Sequence, residues 1–150
     1  MQSSSPLSPD EFAAFNRVVK VLYFALFATV GIYWFVLELI ARQREPAELG
    51  LLKTVLQALA AVTLFAVLYL RFARIGSLVA DPAAEPTVQL ARLRMLYILC
   101  FTLAESVALY GFVLRILGGA REEAIPFFLG SGLLFVLCYP RPRQLPGGSS

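Results

Sequence analysis

Histidine is absent from the chain, which removes the commonest metal ligand and the usual general base near neutral pH. Charge is scarce as well: Asp, Glu, Lys and Arg make up 15% of the 150 residues, where a soluble domain carries about a quarter. Cysteine occurs only twice, as Cys100 and Cys138, each inside an apolar stretch and not as a CxxC pair. Thiols in such settings act as small apolar side chains, and they say nothing about redox compartment. The period-2 alternation of a membrane barrel is missing. What fills the chain instead is hydrophobic residues, 59% of the total, with a mean hydropathy of +0.73. Such a chain cannot cover its apolar surface in water, so its solvent is lipid, and a soluble enzyme is excluded.

A helix crosses the roughly 30 Å hydrocarbon layer in about 20 mostly apolar residues. Four such stretches fit, at about residues 18–40, 51–70, 93–117 and 124–139. The expected fold is therefore all-α, an integral membrane protein with four transmembrane helices arranged as two helical hairpins. Residues 1–17 form a polar N-terminal segment with a helix lead-in. There Ser8, Pro9, Asp10 and Glu11 read as an N-cap, a first-position proline and first-turn acids. The segment lacks the basic flank of a secretory signal, and the first apolar run is too long for one, so it reads as a retained span. Span one ends at Arg42, Gln43, Arg44, Glu45 and Pro46. A polar connector over about 76–89 holds Asp81, Pro82, Glu85 and Pro86. Gly118 and Gly119 cap span three, Pro126 opens span four, and residues 141–150 are a mobile tail.

Basic residues sit singly or in twos at the ends of apolar runs rather than in one patch, so the formal charge of +3 does not point to nucleic acid. An even number of spans places both termini on one side. That side holds Arg17, Lys20, Arg71, Arg74, Arg92, Arg94, Arg141 and Arg143, eight residues against the five (Arg42, Arg44, Lys53, Arg115 and Arg121) on the other. Because positive residues favour the cytoplasm, both termini are expected inside, in a cytoplasmic (inner) membrane. Tyr97 and Tyr139 mark span edges, and Tyr33 and Trp34 read as belt or helix-contact rings. Glu38, close in depth to Arg42 and Lys53, reads as half of an interfacial ion pair, and Glu122 and Glu123 as solvated helix-start acids.

The residue that lipid does not tolerate is Glu105. With span three at 93–117, twelve residues lie on either side of it, which puts a carboxyl at the bilayer midplane. A charge there costs a few kcal/mol or more, so the group must be neutral, paired, or turned to water or a neighbouring helix. Residues three and four away are Phe101, Thr102, Ala108 and Leu109, offering one hydroxyl and no cation. Thr63 in span two lies at similar depth. Two readings remain open: a carboxyl that exchanges a proton or a sodium ion, and a protonated carboxyl that donates one hydrogen bond across a helix interface. No second acid, no nucleophile with a base and no set of metal ligands accompanies it, so no catalytic residue, cofactor or metal is expected. Ala108, Gly111, Gly130, Ser131 and Gly132 are small residues suited to close helix packing.

The stretch Leu103-Ala104-Glu105-Ser106-Val107-Ala108-Leu109-Tyr110-Gly111-Phe112-Val113-Leu114 resembles the ion-carrying helix of the c subunit, or proteolipid, of rotary ATP synthases. The resemblance implies that Glu105 is an ion-binding carboxylate with the hydroxyls of Ser106 and Tyr110 beside it. It also implies proton or sodium transport as part of an oligomer. It covers residues 92–117 only. Span two has no glycine between Gly50 and Gly76, where the family's inner helix places one at every second position, and the carboxylate stands in the third span rather than the fourth. A distant or convergent relative is the expectation, with lipid and either copies of itself or the subunits of a membrane complex as partners. The alternative function is a structural or assembly subunit.

Overall fold

The computed structural model describes residues 9–40, 49–75 and 86–140. Every regular element among them is helical: α1 (Pro9–Ile40), α2 (Gly50–Tyr69, continued by a widened π turn over Leu70–Ile75), α3 (Pro86–Ile116) and α4 (Arg121–Cys138). Three of these helices are long and apolar enough to cross a membrane, over Ala13–Ile40, Gly50–Ile75 and Thr87–Ile116. Helix α4 is shorter at 18 residues and opens with three charged residues, Arg121, Glu122 and Glu123.

Local chemistry accounts for most of the boundaries. α1 opens on Pro9, whose fixed φ suits a first helical position, with Asp10 in its positive first turn. Helix α3 starts at Pro86 for the same reason, so the connector expected over 76–89 becomes helix at its end. α3 terminates in a Schellman arrangement. Gly118 adopts φ 101°, its N–H bonds Arg115 O at 3.2 Å, and the N–H of Gly119 bonds Leu114 O at 3.0 Å. Only glycine takes that backbone conformation without strain. α4 is capped by the Glu123 carboxylate, which accepts from the Ala120 N–H at 3.2 Å. Its first residue is Arg121, so Pro126 lies inside the helix rather than opening it. The expected cap at Ser8, the span-one terminus at residues 42–46, Asp81, Pro82, Glu85 and the tail with Arg141 and Arg143 lie outside the described residues.

Helix α3 is the hub. In the most apolar stretch of each helix, 39% of α3's residues are buried against 17% in α1 and 17% in α2. α3 packs most extensively on α4, then on α1, then on α2. Near the α1 N-terminal end the core is aromatic: Tyr23 meets Phe101 edge-on at 5.5 Å and Phe135 at 5.7 Å. On the outside, Phe24, Phe35, Phe65, Phe72 and Met95 are each more than half exposed. That outer face suits a hydrocarbon solvent.

α3 and α4 approach each other closely at Gly111. A methyl group there would stand 2.7 Å from Phe127 Cβ and 3.1 Å from the Ala124 carbonyl. At Gly130 it would meet Val107 at an ordinary 3.8 Å, and at Gly132 nothing lies within 4 Å. Alanine in a helix interior gains about 1 kcal/mol over glycine in propensity, while overpacking against rigid atoms costs about 1–3 kcal/mol. Gly111→Ala is therefore expected to lower the thermal stability of the detergent-solubilised protein and Gly132→Ala to raise it. Thermal unfolding followed by circular dichroism reads both signs.

Candidate functional site

Glu105 projects from α3 toward α1. The Tyr33 hydroxyl donates a hydrogen bond to Glu105 Oε1 at 3.0 Å, and the Tyr33 ring rests on Phe112, two turns beyond Glu105, at 5.2 Å between centroids. Seven residues at about 100° each return nearly to the same direction, so Glu105 and Phe112 form one edge of α3 that holds the Tyr33 ring and its hydroxyl together. The carboxyl is thus an acceptor here, from a neutral partner. Tyr33 acts as a helix-contact ring, and nothing in the sequence paired it with Glu105, 72 residues away.

The long apolar stretch of α3 begins at Thr87, since Gln89, expected in the connector and buried here, belongs to the helix. Eighteen residues of that stretch precede Glu105 and eleven follow, so Glu105 stands about 5 Å along the helix axis from the middle of the stretch, toward the C-terminal end of α3.

The other residues expected around an ion are not gathered there. Ser106 Oγ donates to Thr102 O of its own helix at 2.8 Å, and Thr63 Oγ1 likewise to Leu59 O at 2.8 Å. Tyr110, five residues on from Glu105, points about 140° away around α3. Helix α2 meets α3 on its opposite flank, across a crevice of about 200 Å³ whose lining includes Gln57, Ala60, Ala61, Val107 and Gly130. Val107 is about 160° from Glu105 on the helical wheel, so Thr63 and Glu105 belong to different seams. Among the small residues, Ala108 and Ser131 are fully buried, and the Ser131 hydroxyl has no hydrogen-bond partner.

Charged groups collect at the end of the bundle where α1 and α3 finish and α2 and α4 begin. Arg121 pairs with Glu38 at 2.9 Å and places its guanidinium 5.5 Å from the Trp34 ring centre. Lys53 Nζ lies 2.6 Å from Glu123 Oε1, and Arg115 donates to the Gly119 carbonyl at 2.8 Å. Glu38 therefore pairs with Arg121 of α4 rather than with Lys53. Glu123 is not a merely solvated acid, since it caps its own helix and binds α2. The first turn of α4 consequently fastens both α1 and α2.

The two cysteines, Cys100 on α3 and Cys138 at the end of α4, are both fully buried in one core cluster. Their separation by 38 positions with no spacing motif left no signal of this. Compared with known protein families, curated proteins and solved structures, the chain matches none.

The hydrogen bond from Lys53, reinforced by the Ala120 N–H, holds the Glu123 carboxyl below its ordinary value of 4.5. A lowered folded-state pKa adds stability that is complete above the unfolded value and is lost as the pH falls through the folded one. Thermal stability is expected to drop as the pH falls below about 4.5, the ordinary value, and the component due to this pair should vanish in Lys53→Met. A pH series of melting curves for the two proteins measures the difference.

Proposed function

We propose that this chain is a non-catalytic, multi-pass membrane protein that serves as a structural or assembly subunit of a membrane complex, with Glu105 tying α1 to α3. The observation that carries this reading is the Tyr33–Glu105 hydrogen bond at 3.0 Å. It gives a carboxyl among apolar helices a neutral donor, while the hydroxyls of Ser106 and Thr63 are committed to their own helices. In this reading α4 makes a fourth crossing. Its 18 residues rise about 27 Å, close to the thickness of the hydrocarbon layer, with Arg121, Glu122 and Glu123 at the interface. Both termini face the cytoplasm, where the greater share of Lys and Arg falls. The large exposed apolar faces of α1 and α2 are the surfaces available to lipid and to partner subunits.

The competing reading, suggested by the proteolipid-like helix, makes Glu105 a site of proton or sodium exchange. The two readings differ in what Glu105 must be able to do. As a tie it needs only an acceptor oxygen, which glutamine also supplies. Glu105→Gln is expected to melt close to the native protein, whereas Glu105→Leu and Tyr33→Phe should each lose about 1 kcal/mol or less, the usual scale of intramembrane hydrogen bonds. The double variant should lose no more than either single one, since both remove the same contact. Carbodiimide labelling of Glu105 in native membranes that persists at neutral pH and is suppressed by sodium would overturn the tie in favour of ion exchange.

A further inference from the structure

The two ends of the bundle treat charge differently. At the end where α2 and α4 begin, Lys53 pairs with Glu123, Arg121 pairs with Glu38, and Arg115 donates to the Gly119 carbonyl. The opposite end does not neutralise itself. The segments that lead into α1 and α3 and out of α2 and α4 hold eight basic residues and four acidic ones, Asp10, Glu11, Asp81 and Glu85, against five of each at the other end. Among the described residues, Arg17, Lys20, Arg92 and Arg94 have no hydrogen-bond or ion-pair partner, and the three arginines are exposed. Two hollows flank the start of α1 beside these cations. One, of about 310 Å³, lies between α1 and α3 and is lined by Ala14, Phe15, Val18, Leu90, Ala91 and Arg94. The other has Asn16, Arg17 and Lys20 along its edge, with Val21 and Phe24 further along the helix. Arg17 is about 60° around α1 from Ala14, so it stands at the border of the two.

We infer that this end of the bundle binds an anionic phospholipid, with its phosphate held by Arg17, Lys20 and Arg94 and its glycerol and first methylenes in the groove between α1 and α3. Charge complementarity selects the head: the cations have no counter-charge among the described residues, and a guanidinium fork matches phosphate oxygens. The groove selects a lipid over other anions. Five of its six lining residues are apolar, and beyond Lys20 the exposed Val21 and Phe24 continue an apolar path for a chain. A free phosphate or an acidic peptide would leave those walls uncovered. A cavity of about 150 Å³ takes a six-carbon ring, so the groove has room for a glycerol and the methylenes next to it. The inference rests on the bundle lying in a membrane, as proposed above. It adds a preference for one class of lipid at one end.

The test uses the full chain, purified in nonionic detergent, stripped of lipid and titrated in parallel with dioleoylphosphatidylglycerol and dioleoylphosphatidylcholine. Bound lipid is counted by native mass spectrometry. The native protein is expected to retain one phosphatidylglycerol about ten- to a hundred-fold more tightly than phosphatidylcholine, as two or three basic residues near an anionic surface supply. Arg17→Gln and Arg94→Gln, checked for native helical content, should each weaken phosphatidylglycerol about fivefold, the usual share of one such residue. Ala91→Trp keeps every charge but fills the groove, and should weaken it as well. Arg121→Gln, at the far end, should leave it unchanged. The proposal is overturned if the native protein retains both lipids equally, or if Ala91→Trp binds phosphatidylglycerol as the native protein does. It is equally overturned if Arg121→Gln acts like Arg17→Gln, or if inorganic phosphate displaces the lipid, which would make this a site for a free anion. Failure of the native chain to enter phosphatidylcholine vesicles would overturn it by another route, by removing the membrane reading beneath it.

Discussion

The near-contact of α3 and α4 at Gly111 is the constraint from which the remaining geometry follows. With no side chain at that position, the α3 backbone comes close to Phe127 Cβ and the Ala124 carbonyl. The seam then continues through fully buried Ala108, Ala104 and Cys100 on one helix and Ser131, Phe135 and Cys138 on the other. In lipid no hydrophobic force draws helices together, so close packing of small residues and occasional hydrogen bonds must supply the association. Once α3 and α4 are joined along this line, the two flanks of α3 are left for α1 and α2. α1 takes the flank bearing Glu105 and Phe112. α2 takes the other and leaves a crevice between itself and α4.

The helical architecture was readable because its causes are local and repetitive. Long apolar runs, a proline at the first helix start and the Gly118-Gly119 stop each act within a turn or two, and their consequences appear at Pro9 and Gly118. The π turn at Leu70–Ile75 and the extension of α3 back to Pro86 were not readable. Arg71 in the turn and Gln89 in the extension both have partners in the folded bundle, which single-helix patterning does not reveal. Glu105 could be singled out, since a carboxyl in an apolar helix is conspicuous in any sequence. Its partner could not, because Tyr33 is one of six tyrosines and only the packing of α1 on α3 selects it. The cysteines show the same limit. Each looked inert in its own stretch, and only the packing of the last turn of α4 against the first half of α3 buries both in one core.

Charged groups in this protein follow a gradient of hydration. At the end of the bundle, the side chains of Lys53, Glu123, Arg121 and Glu38 remain 30–57% exposed. There the pairs retain water, cost little to form and contribute little individually. Their value is geometric, since the first turn of α4 gathers α1 and α2, which otherwise sit on opposite flanks of α3. Arg121 does this with one guanidinium, combining an ion pair to Glu38 with a cation–π contact to Trp34 one turn earlier.

Deeper in the bundle the same solution would fail. A lysine or arginine facing Glu105 would bury a second charge, and the desolvation of both ions can exceed their attraction. A phenol avoids that cost. Tyr33 brings a donor on a ring that is otherwise apolar and packs on Phe112, so most of its surface suits the helix interface. The arrangement also tolerates either protonation state of Glu105. An ionised carboxylate accepts from the hydroxyl, and a protonated one can still accept through its carbonyl oxygen. A contact indifferent to the charge on Glu105 holds α1 against α3 in both states, which is what a structural tie requires. An ion site that must release its cargo needs a contact that differs between the loaded and empty states.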